Sequence, residues 1–288
     1  MHITIAVDQI LHYLLCVVVT TALQIFILIG PGLILAFFMN MLSSIVQRQI
    51  CRLIGLGPYL LFFGWLGTIV HELGHLLFCK LFGYKIIEVK LFAPNLEDSE
   101  LGRVRYAFSW LNPYQVIGSF FVGIGPIILG ALVLYYSTQL LLGPEVVEPM
   151  SLVTINSSAF NSAETSNALV SGILNSTVLV LRSIFAHENL TNWRFYIFLY
   201  ITFCVGSSIT LSMADVKTTF IGFITFVIPL FMFNLATIWI GYFTEAAFMH
   251  LSQLYGCFYA VMTFVLIMNA VTAAILLPLG SLMRLLSS

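Results

Sequence analysis

The sequence predicts an all-α polytopic membrane protein of about six transmembrane helices, with a small membrane-associated β-hairpin after the second. Three observations carry that class. Of 288 residues, 60% are hydrophobic and 8% charged, with a mean hydropathy of +1.03, which no soluble globular domain matches. Apolar runs recur near or above the roughly 20 residues that cross a bilayer. Between the second and third runs the apolar period switches from helical to alternating.

Residues 11–39 form the first span, interrupted by Gly30-Pro31-Gly32, which predicts a kink. Residues 40–52 mix apolar positions with Arg48 and Arg52 and read as an interfacial turn or short amphipathic helix. Residues 56–82 are the second span. In residues 83–112, Ile87, Val89 and Leu91 alternate with Glu88 and Lys90, and Val104, Tyr106 and Phe108 alternate with Arg103, Arg105 and Ala107. Two such runs predict a surface hairpin, either a lid over helix ends or an edge that holds an extended peptide. The third span, 116–142, carries Gly118, Gly123, Gly125, Pro126 and Gly130, which let helices approach closely; a Gly-Pro kink there could also open room for substrate.

Residues 143–193 read as a long extracytoplasmic loop holding the acceptors Asn156, Asn175 and Asn189. Its part 167–186 is apolar enough for the interface, but polar residues argue against a crossing. The last three spans fall at about 195–215, 220–243 and 255–279.

The chain reads as one membrane-embedded domain without a separate soluble domain or internal repeat. A net charge of −1 leaves no polybasic footprint for nucleic acid. The five scattered cysteines form no C-x-x-C pair and read as small buried apolar side chains. No basic region precedes the first apolar run, so no cleavable signal is expected. Seven of the 11 Lys and Arg fall on the side of the termini and the hairpin, which places both termini in the cytoplasm by the positive-inside rule. The membrane itself is not specified.

The chemistry lies in the second span. His71, Glu72 and His75 form H-E-x-x-H inside an apolar run, where a charged group costs roughly 2.5–3.5 kcal/mol without compensation. Residues i and i+4 share a helix face, so the imidazoles can converge on one ion while Glu72 reaches its water. That is the donor pattern of a zinc hydrolase. His187-Glu188 begins the same way but lacks a second histidine and reads as a solvated loop.

A catalytic zinc needs a third protein ligand. Asp215 follows the fourth span on the histidines' side and is the candidate, with a helix-end pair to Lys217 as the bland reading. Asn234, Asn269 and Glu245 are rivals. The two asparagines suit helix contacts or a substrate backbone better than zinc. His12 and His250 have no spaced partner and read as non-ligands.

The stretch 70–86, the hairpin after it, Gly123-x-Gly125-Pro126 and Asp215 together resemble the site-2-protease-type intramembrane zinc metalloproteases over residues 56–216. The resemblance implies one zinc per chain held by His71, His75 and Asp215, with Glu72 as catalytic base. It implies hydrolysis of a transmembrane or membrane-associated protein or peptide within the bilayer; from the residues themselves, Gly125, Pro126, Asn234 and Asn269 are the candidates for contacting substrate. The surroundings of Asp215 here are Ser-Met-Ala-Asp-Val-Lys, where the family commonly has Asn-Pro before the ligand and Asp-Gly at it. Two other readings stay open: a metal transporter, and a non-catalytic relative that binds membrane helices as chaperone or scaffold. No motif names a regulatory partner.

Overall fold

Backbone polar groups inside a bilayer must pair within the protein, and helices pair them locally. A computed structural model describes residues 2–93, 101–148, 164–210, 212–237 and 258–279. Among these, five helices are long and apolar enough to cross a membrane. The first, α1 (His2–Ile54), runs unbroken with Pro31 inside it. Residues 40–52 are therefore neither a turn nor a separate helix. Their amphipathic pattern is real: Val46 and Ile50 pack on Tyr59 and Leu60, while Arg48 and Arg52 face outward.

Gly55, at φ +88°, turns the chain into α2 (Leu56–Leu81). A π-helical turn, Leu60–Gly64, opens this helix near its start, and the Phe62 carbonyl accepts the Tyr200 hydroxyl at 2.5 Å. Gly83, at φ +67°, ends the helix and lets the Tyr84 amide return to the Cys79 carbonyl at 2.8 Å.

The hairpin forms as the alternation predicts, with β1 (Lys85–Lys90) antiparallel to β2 (Arg103–Ala107). A register shift between Ile86 and Glu88 changes which residues face inward. Ile86 packs with Tyr84, Tyr106 and Phe108, whereas Ile87 is 63% exposed. Burial pushes the Tyr84 and Tyr106 hydroxyls up from their ordinary pKa. Asn112 caps α3 (Pro113–Leu142) through the Tyr114 amide at 3.1 Å.

The described residues of 143–193 are largely helical. They include α4 (Glu164–Ile184) and the short α5 (His187–Leu190). Helix α4 carries Asn175, Ser176, Thr177 and Arg182 and is not among the five membrane-crossing candidates. His187 and Glu188 are exposed, as expected. Asn175 is exposed, and Asn189 is committed to the Ser183 carbonyl at 2.7 Å. Asn156, Glu245 and His250 lie outside the described residues.

The largest departure concerns the fourth and fifth spans. Helix α6 (Trp193–Gly206) is too short to cross, and the described residues between it and α7 (Met213–Thr237), 207–210 and Ser212, are not helical. Asp215 and Lys217 interrupt the hydropathy, which made them look like a turn between two spans. They instead occupy the start of α7. The Ser/Thr-rich segment before them, Ser207-Ser208-Ile209-Thr210, breaks the helix because such side chains bond locally to backbone. The final helix, α8 (Phe258–Leu279), matches its expected position.

Helices α2, α3, α6 and α7 meet through glycines. A Cβ on Gly74 of α2 would lie 2.6 Å from the Pro126 Cα of α3, and one on Gly125 would lie 2.7 Å from the Gly74 carbonyl. A Cβ on Gly123 would strike Thr219 of α7, and one on Gly67 would strike the Cys204 carbonyl of α6. Gly118 sits against Phe82, while Phe120 stacks on Phe226. These pairings run α3 antiparallel to both α2 and α7.

Candidate metal centre

Helical spacing places His71 and His75 on one face of α2, with their Nε2 atoms 3.3 Å apart. The break after α6 brings Asp215 to the same depth. Its Oδ1 lies 3.1 Å from His75 Nε2, and its Oδ2 lies 3.7 Å from His71 Nε2. The three side chains offer ligand atoms within 4.8 Å of one another and could hold a metal ion. In a tetrahedral site with bonds of about 2.0–2.1 Å, ligand atoms are about 3.3 Å apart. The histidine nitrogens match that value, and the 3.1 Å from Asp215 Oδ1 to His75 Nε2 is close to it.

Each imidazole is fixed from behind by a backbone carbonyl. His71 Nδ1 lies 3.1 Å from the Ser208 oxygen, and His75 Nδ1 lies 2.8 Å from the Val122 oxygen. With Nδ1 donating to a carbonyl, Nε2 is left as the lone-pair donor to a metal. Both acceptors come from helix irregularities. Ser208 lies in the segment after α6 ends, and Val122 sits four residues before Pro126, which has no amide hydrogen to return.

Asp215 is held by its own helix start. Its Oδ2 accepts the Ser212 amide at 2.9 Å, and the Ser212 hydroxyl accepts the Asp215 amide at 3.1 Å. This reciprocal pair is a capping box with an aspartate. Lys217 is exposed and forms no described ion pair with Asp215.

Glu72 is 9% exposed and sits under the hairpin. The Val104 backbone faces its carboxylate, and a Cβ on Gly102 would lie 2.7 Å from its Cγ. Strand β2 also reaches α7, where Tyr106 lies beside Thr218.

The other candidates go elsewhere. Gly125 and Pro126 pack on Gly74, one side chain away from the ring. Asn234 donates to Thr21 at 2.9 Å and Gln24 at 2.7 Å, fastening α7 to α1. By helix rise it lies about 28 Å along α7 from Asp215. Asn269 contacts the Gly206 carbonyl at 3.5 Å and so supports the end of α6. His12 lies near Cys16, away from the ring.

Sequence reasoning missed Ser212, Gly102, Gly74 and the carbonyls of Val122 and Ser208. A signal existed for Ser212, since S-x-x-D before an apolar run marks a helix start. Another existed for Val122, through the proline four residues on. Nothing local marks Gly102, which meets Glu72 only through the hairpin's docking.

No family model, curated protein or solved structure matches this chain.

Proposed function

We propose that this chain is an intramembrane zinc metalloprotease that hydrolyses a peptide bond in a transmembrane or membrane-associated substrate. One observation carries the reading: a His-His-Asp ring with near-tetrahedral spacing, on helices apolar enough to span a bilayer, beside a buried glutamate of the same helix. Two imidazoles and a carboxylate suit zinc and leave a fourth position for water. When bound, the ion supplies Lewis-acid activation of water and of the scissile carbonyl near neutral pH.

The chain's own residues supply the rest. Glu72 takes the proton of the attacking water and delivers it to the leaving amine. Val104 orients that carboxylate. The hairpin closes the site and offers a strand edge against which a locally unwound substrate can pair. Unwinding is required because the carbonyls of a membrane helix are otherwise occupied. Among the described residues no second group of metal-ligating side chains marks a transport path.

The test is cleavage of single-span substrates by the purified protein in vesicles. Wild type is expected to cleave, and Glu72→Gln to keep its metal while losing activity. Equal cleavage by Glu72→Gln, or none by metal-loaded wild type across a broad panel, would contradict the proposal.

A further inference from the structure

The box formed by Ser212 and Asp215 divides the two oxygens of the third ligand. Oδ2 takes the Ser212 amide at 2.9 Å and lies 3.7 Å from His71 Nε2, while Oδ1 points to His75 Nε2 at 3.1 Å. The Ser212 hydroxyl returns to the Asp215 amide and closes the loop. From this we infer that Ser212 is a positioning residue for the metal centre, holding the Asp215 carboxylate with Oδ1 toward His75. The inference rests on the metal-site reading above but concerns a residue outside the ligand set.

The physical need is specific. Asp215 lies in the first turn of α7, directly after a non-helical segment, where the backbone is otherwise free to fray. A carboxylate on a short side chain moves with that backbone. The ring tolerates little movement, since its Oδ1 to Nε2 separation is 3.1 Å. The Ser212 hydroxyl ties the Asp215 amide, and through it the Cα from which the ligand hangs.

Zinc affinity of the purified full-length chain, measured by chelator competition, tests this. Ser212→Ala and Ser212→Gly are both expected to bind zinc about tenfold more weakly, as loss of ligand-supporting bonds typically does. Ser212→Thr keeps the hydroxyl and is expected to bind as wild type does. Glycine caps helices nearly as well as serine, so a loss in Ser212→Gly cannot come from the cap alone. Asn192→Ala is the control. Asn192 caps α6 by accepting the Arg194 amide at 3.0 Å, away from the ring, and its loss should leave affinity unchanged. The visible spectrum of the Co(II)-loaded protein should change in Ser212→Gly and not in Asn192→Ala.

Wild-type affinity and spectrum in Ser212→Gly would overturn the inference while leaving the centre intact. So would an equal loss in Asn192→Ala. A wild-type chain that takes up no zinc would overturn both this inference and the reading beneath it.

Discussion

His75 Nδ1 lies 2.8 Å from the carbonyl oxygen of Val122 on the neighbouring helix. Pro126 stands four residues after Val122 and has no amide hydrogen for that oxygen. A break in one helix's hydrogen bonding thus becomes the support of a ligand on another.

Pro126→Ala restores the amide and draws the Val122 carbonyl back into the α3 ladder. Zinc affinity is expected to fall about tenfold, with no loss of thermal stability because the helix gains a bond. Chelator competition alongside thermal unfolding checks this, and unchanged affinity would count against the role of Pro126.

Gly74→Ala puts a methyl 2.6 Å from the Pro126 Cα, a contact with backbone that cannot swing aside. Overpacking of this kind costs about 1–3 kcal/mol, and it pushes α3 away from His75. Lower thermal stability and reduced zinc content are both expected. Gly57→Ala, where a Cβ meets nothing within 4 Å, should leave both unharmed.

Much of this centre is legible in the sequence. His71, Glu72 and His75 declare themselves because one helix carries all three, and helical spacing alone fixes their relation. Asp215 was reachable only through topology. The four-plus-five span reading placed it at a membrane surface, because a charged pair in an apolar stretch looks like a turn. The structure places it in the first turn of α7, so the carboxylate meets the histidines without a full crossing before it. Val104 and Gly102 were illegible because their role depends on how the hairpin docks. The bulge at Ile87 was likewise hidden, since alternation continues through it in the sequence.

Asn234→Ala removes the bridge from α7 to Thr21 and Gln24. Interhelical bonds of this type contribute about 0.6–1.7 kcal/mol in membranes, and a loss of that size is expected in unfolding measurements. Zinc content and affinity should not change. A fall in either would place Asn234 in the site after all.

Gly102→Ala puts a methyl 2.7 Å from the Glu72 Cγ and 2.8 Å from the Leu91 carbonyl, and none of its three nearest atoms belongs to a metal ligand. Cleavage is expected to fall about 100-fold, as for a catalytic group displaced by about 1 Å, while zinc affinity stays near wild type. Parallel loss of metal would mean that the hairpin supports the whole centre and not Glu72 alone.

The central claim is that His71, His75 and Asp215 together hold one zinc. Metal content of the purified chain, compared among wild type, His75→Ala and Asp215→Ala, tests it most directly and needs no substrate. The expected result is about one zinc per wild-type chain and loss from both variants, as three protein ligands require. Retention of zinc by Asp215→Ala at wild-type affinity would contradict the ring, and no zinc in wild type after reconstitution would contradict the centre itself.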